Sequence, residues 1–128
     1  MKHAELALSK VITAKPCPFD FGGRWTNELG SYMDLTIKGT AVTGTYVSAV
    51  SSGGGPISMP ISGTTVGDLI SFTVNWGSAI TAWVGHGVLS NEQPQILTLW
   101  HLVLAIDDET NPEEEWKTVM AGADEFRR

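Results

Sequence analysis

From Arg24 to the end of the chain, apolar and polar residues alternate with a period of two, and turn-forming residues cut the alternation at near-regular intervals. Ser31, Met33, Leu35 and Ile37 fall on one side of a strand, with Tyr32, Asp34, Thr36 and Lys38 on the other. Ile70, Phe72, Val74 and Trp76 likewise oppose Ser71, Thr73 and Asn75, while Val42, Gly44, Tyr46, Ser48 and Val50 form another set. Such strands bury one face and wet the other. The breaks are short and offer no crossover helix, so consecutive strands pair antiparallel. The pattern predicts eight strands, at about 23–28, 31–38, 41–50, 57–64, 68–76, 80–89, 95–105 and 117–127. An all-β, eight-stranded antiparallel up-and-down β-barrel is the economical closure. It removes both sheet edges and is just wide enough to hold one small ligand.

The 128 residues suffice for one domain. Residues 1–22 read as an N-terminal extension of uncertain order, because Pro16 and Pro18 end any helix built on Ala4, Leu8, Val11 and Ile12. Residues 23–128 form the barrel domain. Eight basic against fourteen acidic residues give a net charge of −6, which repels phosphate backbones and leaves no polybasic membrane patch. Nucleic acid and membrane are therefore not expected partners. No run reaches the roughly 18 apolar residues of a spanning helix. Glu5, Ser9 and Lys10 interrupt any signal-peptide core, so the chain reads as lacking a leader. The single cysteine, Cys17, excludes an intramolecular disulfide.

Three late strands are apolar on both faces. Ile80, Ala82, Val84 and Val88 back Thr81, Trp83, Gly85 and Gly87; Leu97, Leu99 and Val103 back Ile96, Thr98, Trp100, Leu102 and Leu104. In the last strand Val119, Ala121 and Ala123 back Met120, Gly122, Asp124 and Phe126. An outer apolar patch of that size predicts burial against another subunit.

The chain holds no metal-spaced pair, nucleophile motif or phosphate-cradling loop, and an enzyme is not expected. What stands out is a polar set on otherwise apolar inward faces: Ser31, Tyr46, Ser48, Thr81 and Asp124, beside Trp76, Trp83 and Trp100. Buried without partners, each would cost about 1–3 kcal/mol, more for a charge. They form either a self-satisfied core network or the fixed contacts of a ligand pocket, and five of them with three tryptophans favour the pocket.

At these residues the chain resembles the avidin/streptavidin family of biotin-binding proteins. The resemblance lies in Gly23-Arg-Trp25-Thr-Asn27-Glu-Leu29-Gly-Ser31, Gly44-Thr-Tyr46-Val-Ser48-Ala-Val50, Phe72-Thr-Val-Asn-Trp76 and Thr81-Ala-Trp83. It continues through Thr98-Leu-Trp100-His-Leu102, Trp116-Lys-Thr118 and Gly122-Ala-Asp124-Glu-Phe126. The resemblance implies biotin as a ligand, with no cofactor. Asn27, Ser31 and Tyr46 would donate to the ureido oxygen, Asp124 and Ser48 would accept the ureido N–H groups, and Thr81 would contact the ring sulfur. Trp76, Trp83 and Trp100 would wall the ring and chain. Leu29, Val50, Ser52 and Leu102 complete the expected ligand-binding set. Trp116 would reach a neighbour's site in a homotetramer. Trp25 is expected to be a core anchor near the barrel floor.

The resemblance also implies a secreted or periplasmic protein that sequesters the vitamin. The alternative is an avidin-like or lipocalin-like barrel for another small apolar ligand; a third reading uses the barrel for assembly alone. The chain departs from the family pattern at Ala79, where a serine is usual, in the short Gly77-Ser78 turn, and in the glycine-rich loop Ser51 to Gly55.

Overall fold

The computed structural model describes residues 15–49, 55–106 and 118–128. Eight strands run in sequence: β1 (Gly23–Thr26), β2 (Tyr32–Lys38), β3 (Ala41–Ser48), β4 (Ile57–Val66), β5 (Leu69–Asn75), β6 (Ala79–Ser90), β7 (Gln93–Leu104) and β8 (Val119–Arg127). Each pairs antiparallel with the next, and β1 meets β8 at Thr26 opposite Arg127, so the sheet closes into a barrel with no free edge. The all-β up-and-down barrel expected from the alternation is the fold observed.

Antiparallel order sorts the connections between two ends. The β1–β2 and β5–β6 turns lie at one end, the mouth, where β3 and β7 end and β4 and β8 begin; the β2–β3, β4–β5 and β6–β7 turns and both described termini gather at the floor. Turn chemistry sets where strands stop. Gly39, Gly67 and Gly77 take positive φ in the tight turns, where a side chain would be strained. β1 ends at Thr26, two residues earlier than the pattern predicts. The Asn27 side-chain oxygen captures the backbone N–H groups of Leu29 and Ser31, bending the chain there.

The inward parities read from sequence hold through the middle of the barrel. Met33, Leu35, Val42, Tyr46, Ile61, Ile70, Phe72, Val74, Trp83, Ile96 and Phe126 form the buried core. They fail near strand ends: Leu89, Leu104 and Met120, which share the inward parity, are exposed. Each stands within one residue of a strand terminus, where no facing wall remains to cover it.

The floor is built partly from residues outside the barrel domain as bounded by the sequence. Phe21 is buried, its carbonyl accepts the Trp25 indole N–H at 2.9 Å, and Phe19 stacks on Trp25 with 6.1 Å between ring centroids. A Cβ on Gly87 would lie 2.4 Å from the Phe19 ring, so glycine there is what admits Phe19. Arg128 lies over Trp25 at 4.2 Å and donates to the carbonyls of Asp20 and Gly22. The packed unit thus begins upstream of residue 23. The two phenylalanines sit in a Pro- and Gly-flanked segment with no alternation to announce them. Trp25 itself is fully buried at the floor, as expected.

On the outer surface, strand register aligns Ile80, Val103 and Val119 in one row, Ala82, His101 and Ala121 in the next, and Val84, Leu99 and Ala123 in a third. Leu99 is 71% exposed and Val84 62%, so the second apolar face of β6–β8 stands open on the single chain.

Candidate ligand-binding site

The mouth end holds a cavity of about 440 Å³, a volume suited to a small organic molecule. Asn27, Leu29, Ser31, Tyr46, Ser48, Trp76, Thr81, Trp83, Trp100, Leu102 and Asp124, all singled out by sequence, line it together. Val50, Ser52 and Trp116 lie outside the described residues. Sequence reasoning missed Ile57, which shares the inward parity of Ile61 on β4 and is legible by that signal. Ser78 and Ala79 also line the mouth, at the β5–β6 turn where Trp76 N–H bonds the Ala79 carbonyl at 2.8 Å.

One wall is a set of converging donors. Asn27 Oδ1 accepts from Leu29 N and Ser31 N, both at 3.0 Å, which fixes the amide with Nδ2 turned toward Tyr46 Oη at 3.4 Å. The same five-residue turn is closed by Asn27 N to the Ser31 carbonyl at 2.9 Å. Ser31 Oγ accepts Ala49 N–H at 2.9 Å, tying the end of β3 to this wall, and its hydroxyl also bonds the Tyr46 phenol oxygen. Tyr46 is clamped by aromatic rings, stacked on Trp83 at 5.0 Å and edge-on to Trp76 at 5.9 Å and Phe126 at 6.4 Å. Burial, reinforced by the Asp124 charge and only partly offset by the Ser31 hydrogen bond, pushes the Tyr46 phenol well above its ordinary value near 10. Tyr46 therefore remains a neutral O–H donor throughout the physiological range.

The opposite wall carries the acceptor. Asp124 Oδ2 receives the Trp83 indole N–H at 2.9 Å, leaving Oδ1 available to accept a second donor. The β7–β8 register sets Asp124 beside Thr98, whose hydroxyl bonds the Asp124 carbonyl at 3.0 Å and pins that strand. Trp76 Nε1 donates to Thr81 Oγ1 at 2.9 Å, so both indole N–H groups are spent on holding pocket polar groups in place. Trp100 crosses β8 at Gly122, where a Cβ would lie 2.6 Å from the indole; no larger residue admits this ring.

Donors on one side and a carboxylate on the other, with indoles between them, suit a neutral polar head that both accepts and donates hydrogen bonds, followed by an apolar body. A larger hollow of about 720 Å³ on the outside of β4–β8 lacks this arrangement; its rim is the open apolar face, with Val84, Leu97 and Leu99. Among the described residues no group of His, Cys, Asp and Glu is gathered to hold a metal ion. Fold and site together define a small-ligand-binding antiparallel barrel.

The avidin family model matches residues 15–128, so the chain belongs to the avidin family. Family members are non-catalytic binding proteins that take biotin as a ligand rather than a cofactor. Avidin from Gallus gallus is 30% identical over 129 residues, covering 91% of this chain and 82% of the relative. Among solved structures, xenavidin superposes with a TM-score of 0.74 at 27% identity, covering 87% of this chain and 98% of that one. A shwanavidin variant in complex with biotin gives a TM-score of 0.68 at 26% identity, covering 85% and 97%.

Proposed function

We propose that this chain binds biotin, without catalysis, in the mouth cavity. The observation that carries the reading is the placement of Asn27, Ser31 and Tyr46 on one side of a single tryptophan-walled cavity and Asp124 on the other. The donor wall suits the ureido oxygen, while Asp124 and Ser48 suit the two ureido N–H groups. Donors at the oxygen and a carboxylate at the nitrogen polarise the group in the same sense, so the hydrogen bonds strengthen one another in a dry site. Thr81 faces the ring sulfur in this reading, and Trp76, Trp83 and Trp100 cover the bicyclic ring and aliphatic chain. Similarity to the biotin-bound shwanavidin variant supports the ligand's identity.

The same reading extends to assembly. The open apolar rows of β6–β8 favour self-association, proposed as a homotetramer in which Trp116 of a neighbour completes each cavity. An exported protein that keeps the vitamin from competitors is the setting proposed for it. A calorimetric titration of the full chain with biotin tests the reading. Saturation near one site per subunit is expected; no heat at two temperatures overturns it and favours another small apolar ligand.

A further inference from the structure

Among the described residues the threonines Thr65, Thr81 and Thr98 are buried. Thr81 lines the mouth cavity, and the Thr65 hydroxyl steadies the β4–β5 turn by donating to the Leu69 carbonyl at 2.7 Å. Thr98 does neither. It is 4% exposed and takes no part in the cavity lining. Its neighbours of the same parity on β7 are Ile96 and Trp100. A valine of the same outline would suit that apolar layer without the desolvation a buried hydroxyl brings.

The hydroxyl is spent on Asp124. Toward β6, Thr98 faces Gly85, which carries no side chain to meet it. Toward β8 it faces Asp124, and Oγ1 donates to that residue's carbonyl at 3.0 Å. Asp124 is thereby held at two points from two strands, its main chain by Thr98 of β7 and its carboxylate by the Trp83 indole of β6. The first hold matters because, among the described residues, β8 pairs with β1 only where Thr26 meets Arg127, three residues beyond Asp124. Along the rest of β8 the strand that fixes the main chain is β7. A carboxylate oxygen accepts well only within a narrow range of distance and angle, so a small shift of the main chain at Asp124 spoils what Oδ1 can accept.

We infer that Thr98 is a positioning residue of the ligand site: without touching the ligand, its hydroxyl sets the place of Asp124 and so strengthens the hydrogen bond Asp124 makes to the ligand. The inference rests on the biotin reading above, in which Asp124 accepts a ureido N–H. Displacement titrations with biotin on four full-length proteins test it: the unaltered chain, Thr98→Val, Asp124→Ala and the double variant.

Thr98→Val is expected to weaken binding about tenfold, the net size of one hydrogen bond. Thr98→Ser keeps the hydroxyl and should stay within about threefold of the unaltered chain. In the Asp124→Ala background the same Thr98→Val change should cost less than about twofold, because the group it acts through is gone. A tenfold loss that persists without the Asp124 carboxylate reveals a general effect on β7 and overturns the inference. So does a Thr98→Val variant that binds like the unaltered chain, or a Thr98→Ser variant that loses as much as Thr98→Val. Should Thr98→Val not fold, Thr98→Ala beside Thr98→Ser reads the same hydroxyl in the same cycle. Biotin that fails to bind the unaltered chain overturns the biotin reading and this inference with it; binding there with additive losses removes this inference alone.

Discussion

Trp83 and Asp124 are joined over the intervening strand β7 by an indole N–H donating to Oδ2 at 2.9 Å, although 41 residues separate them in sequence. The bond holds the one carboxylate among the described lining residues and leaves its second oxygen for another donor. Removing that carboxylate deletes a charge-assisted acceptor and orphans the indole donor. Asp124→Ala is expected to weaken biotin binding by about 1.5–3 kcal/mol, on the order of 10- to 150-fold. The barrel and its association should persist. Displacement titration beside a thermal melt checks both halves, and a variant that unfolds without weaker binding contradicts the assignment.

Tyr46 supplies an alkaline signature. Its phenol titrates near 10 when unfolded and higher when folded, because burial and the Asp124 charge disfavour the phenolate. A raised folded value contributes stability that is complete below about pH 10 and lost as pH rises toward the folded value. Denaturant midpoints should thus fall above about pH 10, and Tyr46→Phe should flatten that fall. At neutral pH the same substitution should cost about 1–3 kcal/mol of ligand binding through the lost donor.

Gly122 is a packing requirement. A Cβ placed there meets the Trp100 indole at 2.6 Å, so Gly122→Ala must displace the ring. Overpacking of this kind costs about 1–3 kcal/mol of stability. Ligand affinity should drop with it, since Trp100 lines the cavity. Tryptophan fluorescence, chemical denaturation and titration read the three effects; unchanged affinity would place Trp100 outside the ligand's reach.

The open β6–β8 face predicts an association phenotype. Leu99→Glu places a charge on the middle strand of the apolar rows, at a side chain 71% exposed on the single chain. A substitution so exposed changes monomer stability by about 0.5 kcal/mol or less. Analytical ultracentrifugation should report a smaller species than the unaltered protein gives, with far-UV circular dichroism retained. An unaltered sedimentation profile would move the subunit contact elsewhere.

At the floor, Phe21→Ala removes a buried ring that packs on Phe19, with 4.7 Å between ring centroids, and opens a void there. A stability loss of about 3–5 kcal/mol is expected. Biotin affinity of the folded fraction should change little, because Phe21 does not line the cavity.

Period-two alternation located all eight strands and, away from the strand ends, the inward faces of β2, β3 and β5 to β8. The polar residues standing on those faces, Ser31, Tyr46, Ser48, Thr81 and Asp124, line one cavity together. Those signals are local: a strand's parity is written in its own residues, and a polar group on an apolar face is conspicuous without knowing its neighbours. Ile57 was overlooked although the same parity rule covers it. Phe19 and Phe21 carried no local signal, because they belong to no strand and Phe19 rests against Gly87, contributed by a distant one.

The sequence by itself thus determined the order and antiparallel pairing of the strands, and which faces turn inward away from the strand ends. Only the tertiary structure decided how those side chains are oriented. Asn27 turns its nitrogen inward because its oxygen is taken by two backbone donors, and Asp124 is aimed by an indole from another strand. The floor, too, is completed by a segment that belongs to no strand. Strand order follows from nearest-neighbour patterns along the chain, whereas hydrogen-bond direction and close packing are settled only when residues far apart in sequence compete for the same space and the same donors.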